Sequence, residues 1–242
     1  MGGCVPLPTP RARNDPRQYD DLVDAWWDPR GAFAMLHWLA EARAALVPPA
    51  SRPAAVLVDL GCGGGLLAPH LEGKGYHHIG VDLTLSALGT AREHELAVLR
   101  GDVTAVPLRD ASADVVCAGE ILEHVTDAAA VAAEACRLLR PGGTLVVDTI
   151  AATRLATLVA VELGERVPGA APAGIHDPGL FVDRRALVDT CAAHGVDLRL
   201  RGLRPKWREL VGWMAGRRPT VTMVPVWTTA VLFQGWGTKA AP

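Results

Sequence analysis

The run Asp59-Leu60-Gly61-Cys62-Gly63-Gly64-Gly65, entered from Ala55-Val56-Leu57-Val58, constrains this chain more than any other segment. A short apolar run bounded by turn residues predicts a buried strand. Glycines at alternate positions let the backbone turn sharply and approach a ligand with no Cβ in the way. A helix over 66–74 is expected to follow, so that the loop presents the free amides of a helix N-terminus. Strand, glycine turn and helix in this order put the turn at the carboxyl end of the first strand of an open α/β sheet, where ligands bind.

The kind of ligand follows from the spacing. The dinucleotide fingerprint G-x-G-x-x-G, started at Gly61, needs glycine at position 66, and Leu66 stands there. The pattern present is acid-x-G-x-G-x-G, headed by Asp59. Ile79-Gly80-Val81-Asp82 reads as a second strand ending in a carboxylate that can accept hydrogen bonds from ribose hydroxyls, a feature nicotinamide enzymes share. Asp102 lies in Leu99-Arg100-Gly101-Asp102-Val103, ahead of Val106-Pro107-Leu108. Ala113-Asp114-Val115-Val116-Cys117-Ala118 is a fourth strand, and Leu138-Leu139-Arg140-Pro141-Gly142-Gly143-Thr144-Leu145-Val146-Val147 is a helix end, a turn and a fifth strand. In this order the segments resemble the motifs of class I S-adenosylmethionine (SAM) methyltransferases, in which an acid at the Asp102 position meets the adenine amino group.

That resemblance implies an α/β, Rossmann-like fold: a seven-stranded, mostly parallel sheet, helices on both faces, and an antiparallel last strand. With 242 residues, half of them apolar, the chain can form one large domain, expected over 18–242. Residues 1–17, rich in Pro and Arg, are expected to be loose. The tail predicts a strand over 196–203, a helix over 206–215 and a final strand within 221–236. Five cysteines with no C-x-x-C pair suit reduced thiols and a cytoplasmic location.

Two further segments narrow the family. Trp26-Trp27-Asp28-Pro29-Arg30-Gly31-Ala32-Phe33, with Leu36-His37 and Arg43, is one; Gly119-Glu120-Ile121-Leu122-Glu123-His124-Val125 is the other. With Gly174-Ile175-His176-Asp177-Pro178 and Phe181-Val182, they resemble the ubiquinone-biosynthesis O-methyltransferases, which methylate phenolic hydroxyls on polyprenylated rings. The resemblance carries Arg43, Gly61, Asp82 and Gly119 over as SAM contacts, and the motifs add Asp59, Gly63, Gly65, Leu83, Asp102 and Val103. Where the family has Asn-Pro shortly before the arginine, this chain has Ala40-Glu41.

The resemblance also supports Glu120, Glu123 and His124 as ligands of Mg2+ or another divalent cation. On a helix their spacings of three and four put all three on one face, and a cation there would orient a catechol and acidify its hydroxyl. The other reading makes His124 a metal-independent base, counts Glu120 and His176 with it as catalytic, and has His176 face substrate from 151–182, a substrate lid or membrane-facing insertion. Expected partners are an aromatic phenol or catechol substrate, prenylated or not, and an anionic membrane surface at the inner face. Seven basic residues from Arg199 to Arg218 stand against Glu209 alone, with Trp207 and Trp213 interleaved. A net charge of −2 and the lack of a recognition motif argue against nucleic acid. A soluble aromatic acceptor methylated at oxygen or carbon, and a non-catalytic SAM-binding scaffold, are the alternatives.

Overall fold

The computed structural model describes residues 11–166 and 171–241. Among them eight strands form one sheet: β1 (Ala55–Leu60), β2 (Tyr76–Asp82), β3 (Ala97–Arg100), β4 (Ala113–Gly119), β5 (Leu139–Ile150), β6 (Arg199–Pro205), β7 (Met223–Val226) and β8 (Leu232–Thr238). Their order is β3-β2-β1-β4-β5-β8-β6-β7. The first five are parallel; β8 runs antiparallel to β5 and β6, and β7 antiparallel to β6. The chain winds outward from β1 to β3, then crosses back to β4 on the other side. The crevice between the ends of β1 and β4 is therefore the topological switch point, where doubly wound sheets bind ligands.

The helices among the described residues are α1 (Arg17–Asp21), α2 (Ala34–Ala44), α3 (Leu85–Glu93), α4 (Ala128–Leu138), α5 (Arg154–Ala156), α6 (Arg184–Ala193) and α7 (Trp207–Met214). Helix α5 runs on into a π-helical turn, Thr157–Leu163. The central strands are apolar on both faces because helices cover both: β4 is buried along its whole length. The largest apolar cluster joins Val58, Leu60, Val116 and Leu145 of the sheet to Val131, Leu138 and Leu187 of α4 and α6. Local chemistry starts these helices where expected. Asp127 accepts from the Ala130 amide at 2.9 Å, and Asp183 accepts from the Arg185 and Ala186 amides.

Three expectations are corrected. The helix over 66–74 is only a 3-10 turn, Ala68–Leu71. Pro69 removes a backbone donor inside it, and Gly73 and Gly75 leave it with positive φ. The glycine loop therefore does not open a long helix. The tail holds two strands where one was expected within 221–236, which raises the sheet from seven strands to eight. Pro225 is tolerated in β7 because that strand is the edge of the sheet. Finally, Glu120, Glu123 and His124 are not on a common helix. Glu120 has φ of +53°, and only Leu122–His124 forms a single 3-10 turn.

Of the segment expected to be loose, residues 1–10 lie outside the described residues. Residues 11–17 are tied down: Arg11 pairs with Asp21, Arg13 with Glu165, and the Asn14 amide donates to the Gly174 carbonyl at 3.0 Å.

Candidate active site

A pocket opens at the carboxyl ends of β1, β2 and β4. It is lined by Arg43, Asp59, Gly61, Gly63, Asp82 and Leu83, by Asp102, Val103 and Gly119, and by Glu120, His124 and His176. Of the residues singled out from sequence, Gly65 and Glu123 are not in its wall. The missing Cβ of Gly65 leaves room for Ala91 of α3 instead, and Glu123 is fully buried behind the pocket.

The acids are held ready for ligand hydrogen bonds. Asp82 accepts the Gly63 amide at 3.0 Å on one oxygen and the Thr84 amide at 2.8 Å on the other, so each oxygen keeps a lone pair. Burial raises its pKa above the usual carboxylate range. Asp102 receives both the amide and the hydroxyl of Thr104 on Oδ1, which lowers its pKa and leaves Oδ2 without a protein partner among the described residues.

The glycine loop is shaped as much by the protein as by a ligand. Gly63 has φ of +50°, and a Cβ there would meet the Trp26 ring at 2.5 Å. Trp26 stacks on Phe33 with centroids 4.4 Å apart, and the Trp27 indole donates to the Gly64 carbonyl at 2.9 Å. The tryptophan pair thus clamps the loop from outside the sheet. Gly119 is required for a related reason: a Cβ there would fall on the Arg43 guanidinium. That guanidinium donates from Nε and Nη2 to Asp148 at 2.6 and 2.7 Å, a buried bidentate pair. The expected SAM contact therefore belongs first to a structural ion pair. Nη1 takes part in neither bond, and Arg43 still lines the pocket.

The two carboxyls at positions 120 and 123 are buried with little to ionise for. Burial, then the neighbouring carboxylates, holds Glu120 well above the normal range; burial pushes Glu123 up to about 7, against the Thr149 hydroxyl that donates to it at 2.7 Å. Glu120 Oε1 and Glu123 Oε1 have no partner among the described residues. His124 is engaged at both ring nitrogens, with Asn14 Oδ1 at 2.6 Å from Nδ1 and the Tyr19 hydroxyl at 3.3 Å from Nε2. Among the described residues no three His, Cys, Asp or Glu side chains come together as a cation site. The helical spacing behind the expected metal set at Glu120, Glu123 and His124 is absent, since the run is a loop with a single 3-10 turn.

What the site does assemble is a pair of imidazoles. The rings of His124 and His176 stack with centroids 5.6 Å apart. Burial lowers the pKa of His124 to about 3 and that of His176 to about 4, so both are neutral near pH 7. His176 Nδ1 lies 3.7 Å from Glu165 and has no hydrogen-bond partner among the described residues. Trp26, Phe33, Met35, Leu36 and Ile175 supply an apolar wall beside these rings. Sequence reasoning missed Asn14 and Tyr19, which lie in or beside a segment with no periodicity to flag them.

Comparison with known proteins agrees with this geometry. A family described as "Methyltransferase domain" matches residues 58–147. A ubiquinone biosynthesis O-methyltransferase of Methylococcus capsulatus is 36% identical over 181 residues, covering 72% of this chain and 76% of that protein. One from Ralstonia nicotianae is 34% identical over 209 residues, covering 81% and 88%. The chain belongs to the ubiquinone biosynthesis O-methyltransferase family. It is a SAM-dependent methyltransferase. A possible histamine N-methyltransferase of Thermotoga maritima shares the fold, with a TM-score of 0.62 at 19% identity over 92% of this chain and 97% of that one. Among the described residues of this methyltransferase no helix is long and apolar enough to cross a membrane.

Proposed function

We propose that the enzyme methylates a phenolic hydroxyl of a prenylated catechol or quinol, and that His124 receives the proton. The observation that carries this reading is the sharing of one pocket by three kinds of group: the acids Asp59, Asp82 and Asp102, the neutral imidazoles His124 and His176, and the wall of Trp26, Phe33 and Ile175. The unfilled lone pairs on Asp82 suit ribose hydroxyls, and Asp102 Oδ2 suits the adenine amino group. SAM bound there supplies an electrophilic methyl group on a sulfonium, and the carbon–sulfur electron pair stays on sulfur as the oxygen–carbon bond forms.

The protein's own part is orientation, exclusion of water and proton acceptance. A phenol of pKa near 10 is mostly protonated at neutral pH. His124, with its depressed pKa, is too weak to ionise it beforehand. It acts as the oxygen gains a bond to carbon and its proton turns strongly acidic, so transfer to the imidazole accompanies the new bond. Glu120 adds a carboxyl with one unpartnered oxygen to the same wall, and a cationic ligand beside it favours its ionised form.

Residues 151–182 serve as the lid in this reading, with positions 167–170 outside the described residues. The prenyl chain is assigned to the apolar wall, and family relatives named for ubiquinone biosynthesis support it. Peripheral membrane contact is assigned to α7. Trp207, Val211 and Met214 fall on one side of that helix, each more than half exposed, opposite buried Glu209 and Trp213. Exposed Arg208, Arg217 and Arg218 flank them, a pattern suited to an anionic interface. The test of the chemistry is His124→Ala with SAM and farnesyl-substituted catechol. The expected result is a fall in kcat of about 10²-fold or more, the scale of a lost general base, with SAM affinity unchanged. Full turnover in that variant removes His124 from the mechanism.

A further inference from the structure

Resting on the reading of His124 as proton acceptor, the surroundings of that ring also fix which nitrogen does the work. A neutral imidazole has one N–H and one bare nitrogen, and only the bare one takes a proton. Asn14 makes two bonds to His124. Its Nδ2 donates to the His124 backbone carbonyl at 2.9 Å, and its Oδ1 lies 2.6 Å from Nδ1. A carbonyl oxygen can only accept, so the first bond identifies the nitrogen end of the amide. The oxygen end therefore faces Nδ1, and Nδ1 must carry the hydrogen. Nε2 is left with its lone pair, into which the Tyr19 hydroxyl donates at 3.3 Å.

We propose that Asn14 is a positioning residue of this active site: it holds His124 as the Nδ1–H tautomer, so that the Nε2 lone pair, which the Tyr19 hydroxyl occupies here, takes the proton of the acceptor hydroxyl when that hydroxyl displaces Tyr19. The N-terminal segment is built to deliver it. Asn14 has φ of +57°, a conformation asparagine tolerates better than most residues. Its neighbour Arg13 donates to Glu165 at 3.1 Å and to the His176 carbonyl at 2.7 Å. Glu165 in turn accepts the Gly174 and His176 amides. The segment that orients His124 and the loop that carries His176 thus hold each other. The site is complete only when residues 11–19 are docked.

Two-bond nitrogen–proton spectra of protein labelled with 15N-histidine read the tautomer directly, with no substrate present. His124→Ala assigns the signal. The expected wild-type signal is protonated at Nδ1 and bare at Nε2; the reverse pattern overturns the proposal. Asn14→Gly removes the side chain without straining the positive φ. It should bring up the Nε2–H form and lower kcat on farnesyl-substituted catechol about 10-fold or more, with SAM affinity held within about two-fold. Asn14→Asp keeps an oxygen facing Nδ1 and should keep the wild-type tautomer. An unchanged tautomer and kcat in Asn14→Gly, in a protein where His124→Ala is inactive, overturns the Asn14 assignment alone. Full turnover in His124→Ala overturns both it and the base on which it rests.

Discussion

At the scale of single residues, Asp82 and His176 make the sharpest demands. Asp82 spends one lone pair of each oxygen on the protein and keeps the others for ligand. A hydrogen bond to an ionised acceptor is worth about 1.5–3 kcal/mol, so Asp82→Ala should weaken SAM binding by roughly 10- to 100-fold for each bond lost. Calorimetry with SAM reads it, and an unchanged affinity places the ribose elsewhere. His176 is buried, with its pKa lowered to about 4 by desolvation. The sign is that of a group protonated more readily when unfolded, where its pKa is near 6.5. Its contribution is complete above pH 6.5 and is lost as pH falls toward 4, at up to about 1.4 kcal/mol per pH unit. Denaturant unfolding at pH 7 and pH 4.5 should show His176→Phe losing less stability on acidification than the wild type. Equal losses mean His176 protonates in the folded protein. Arg43 shows the limit of reading a residue from a motif. Its partner Asp148 lies 105 positions away in the chain, with nothing in the sequence to announce the pair. Arg43→Met leaves Asp148 a buried lone charge and should cost about 3–5 kcal/mol.

At the scale of elements, the parallel half of the molecule was legible and the irregular parts were not. Strands β1, β4 and β5 announce themselves as apolar runs because both faces of the central sheet are buried, and β2 by its end, Ile79 to Asp82. The turn after the glycine loop was expected as a helix from the strand–glycine turn–helix pattern, while Pro69 and Gly73 decide otherwise locally. The E-x-L-E-H run was misread the same way: its spacing suits a helix, but Glu120 sits at positive φ and the turn is a single one. The tryptophan pair was recognised only by resemblance, and the fold supplies the cause, a clamp on the glycine loop. Trp26→Ala empties that clamp and should cost about 3–5 kcal/mol by the usual penalty for a large buried aromatic, with weaker SAM binding. A variant that keeps full stability and affinity contradicts the clamp. For α7, changing the flanking Arg208, Arg217 and Arg218 to Ser should reduce sedimentation with anionic liposomes. Each cation is worth on the order of 1 kcal/mol near such a surface, and added salt should weaken the wild type in the same direction. Indifference to lipid charge removes the membrane assignment.

At the scale of the whole molecule, the fold and one wall of the pocket were open to sequence reading, because glycines and strand-end acids recur at fixed places along one winding. The opposite wall was open only in part. It is built from Asn14, Tyr19, His124 and His176, which come from the N-terminal segment, a loop after β4 and the loop at 171–176; the two histidines were singled out by resemblance, and no local pattern links Asn14 and Tyr19 to them. The same division governs what the architecture implies. The sheet brings Asp59, Asp82 and Asp102 to the switch point, and the appended segments add an apolar, imidazole-bearing wall beside them. The proposed reaction, methyl transfer to a phenol, draws on both halves at once. The most direct measurement is turnover with isotopically labelled SAM against catechol and farnesyl-substituted catechol, with mass spectrometry of the product. The account predicts a mono-O-methyl ether as product, with the prenylated acceptor favoured in kcat/KM. SAM binding with no methyl transfer to either, or a methyl group found on ring carbon, would contradict it.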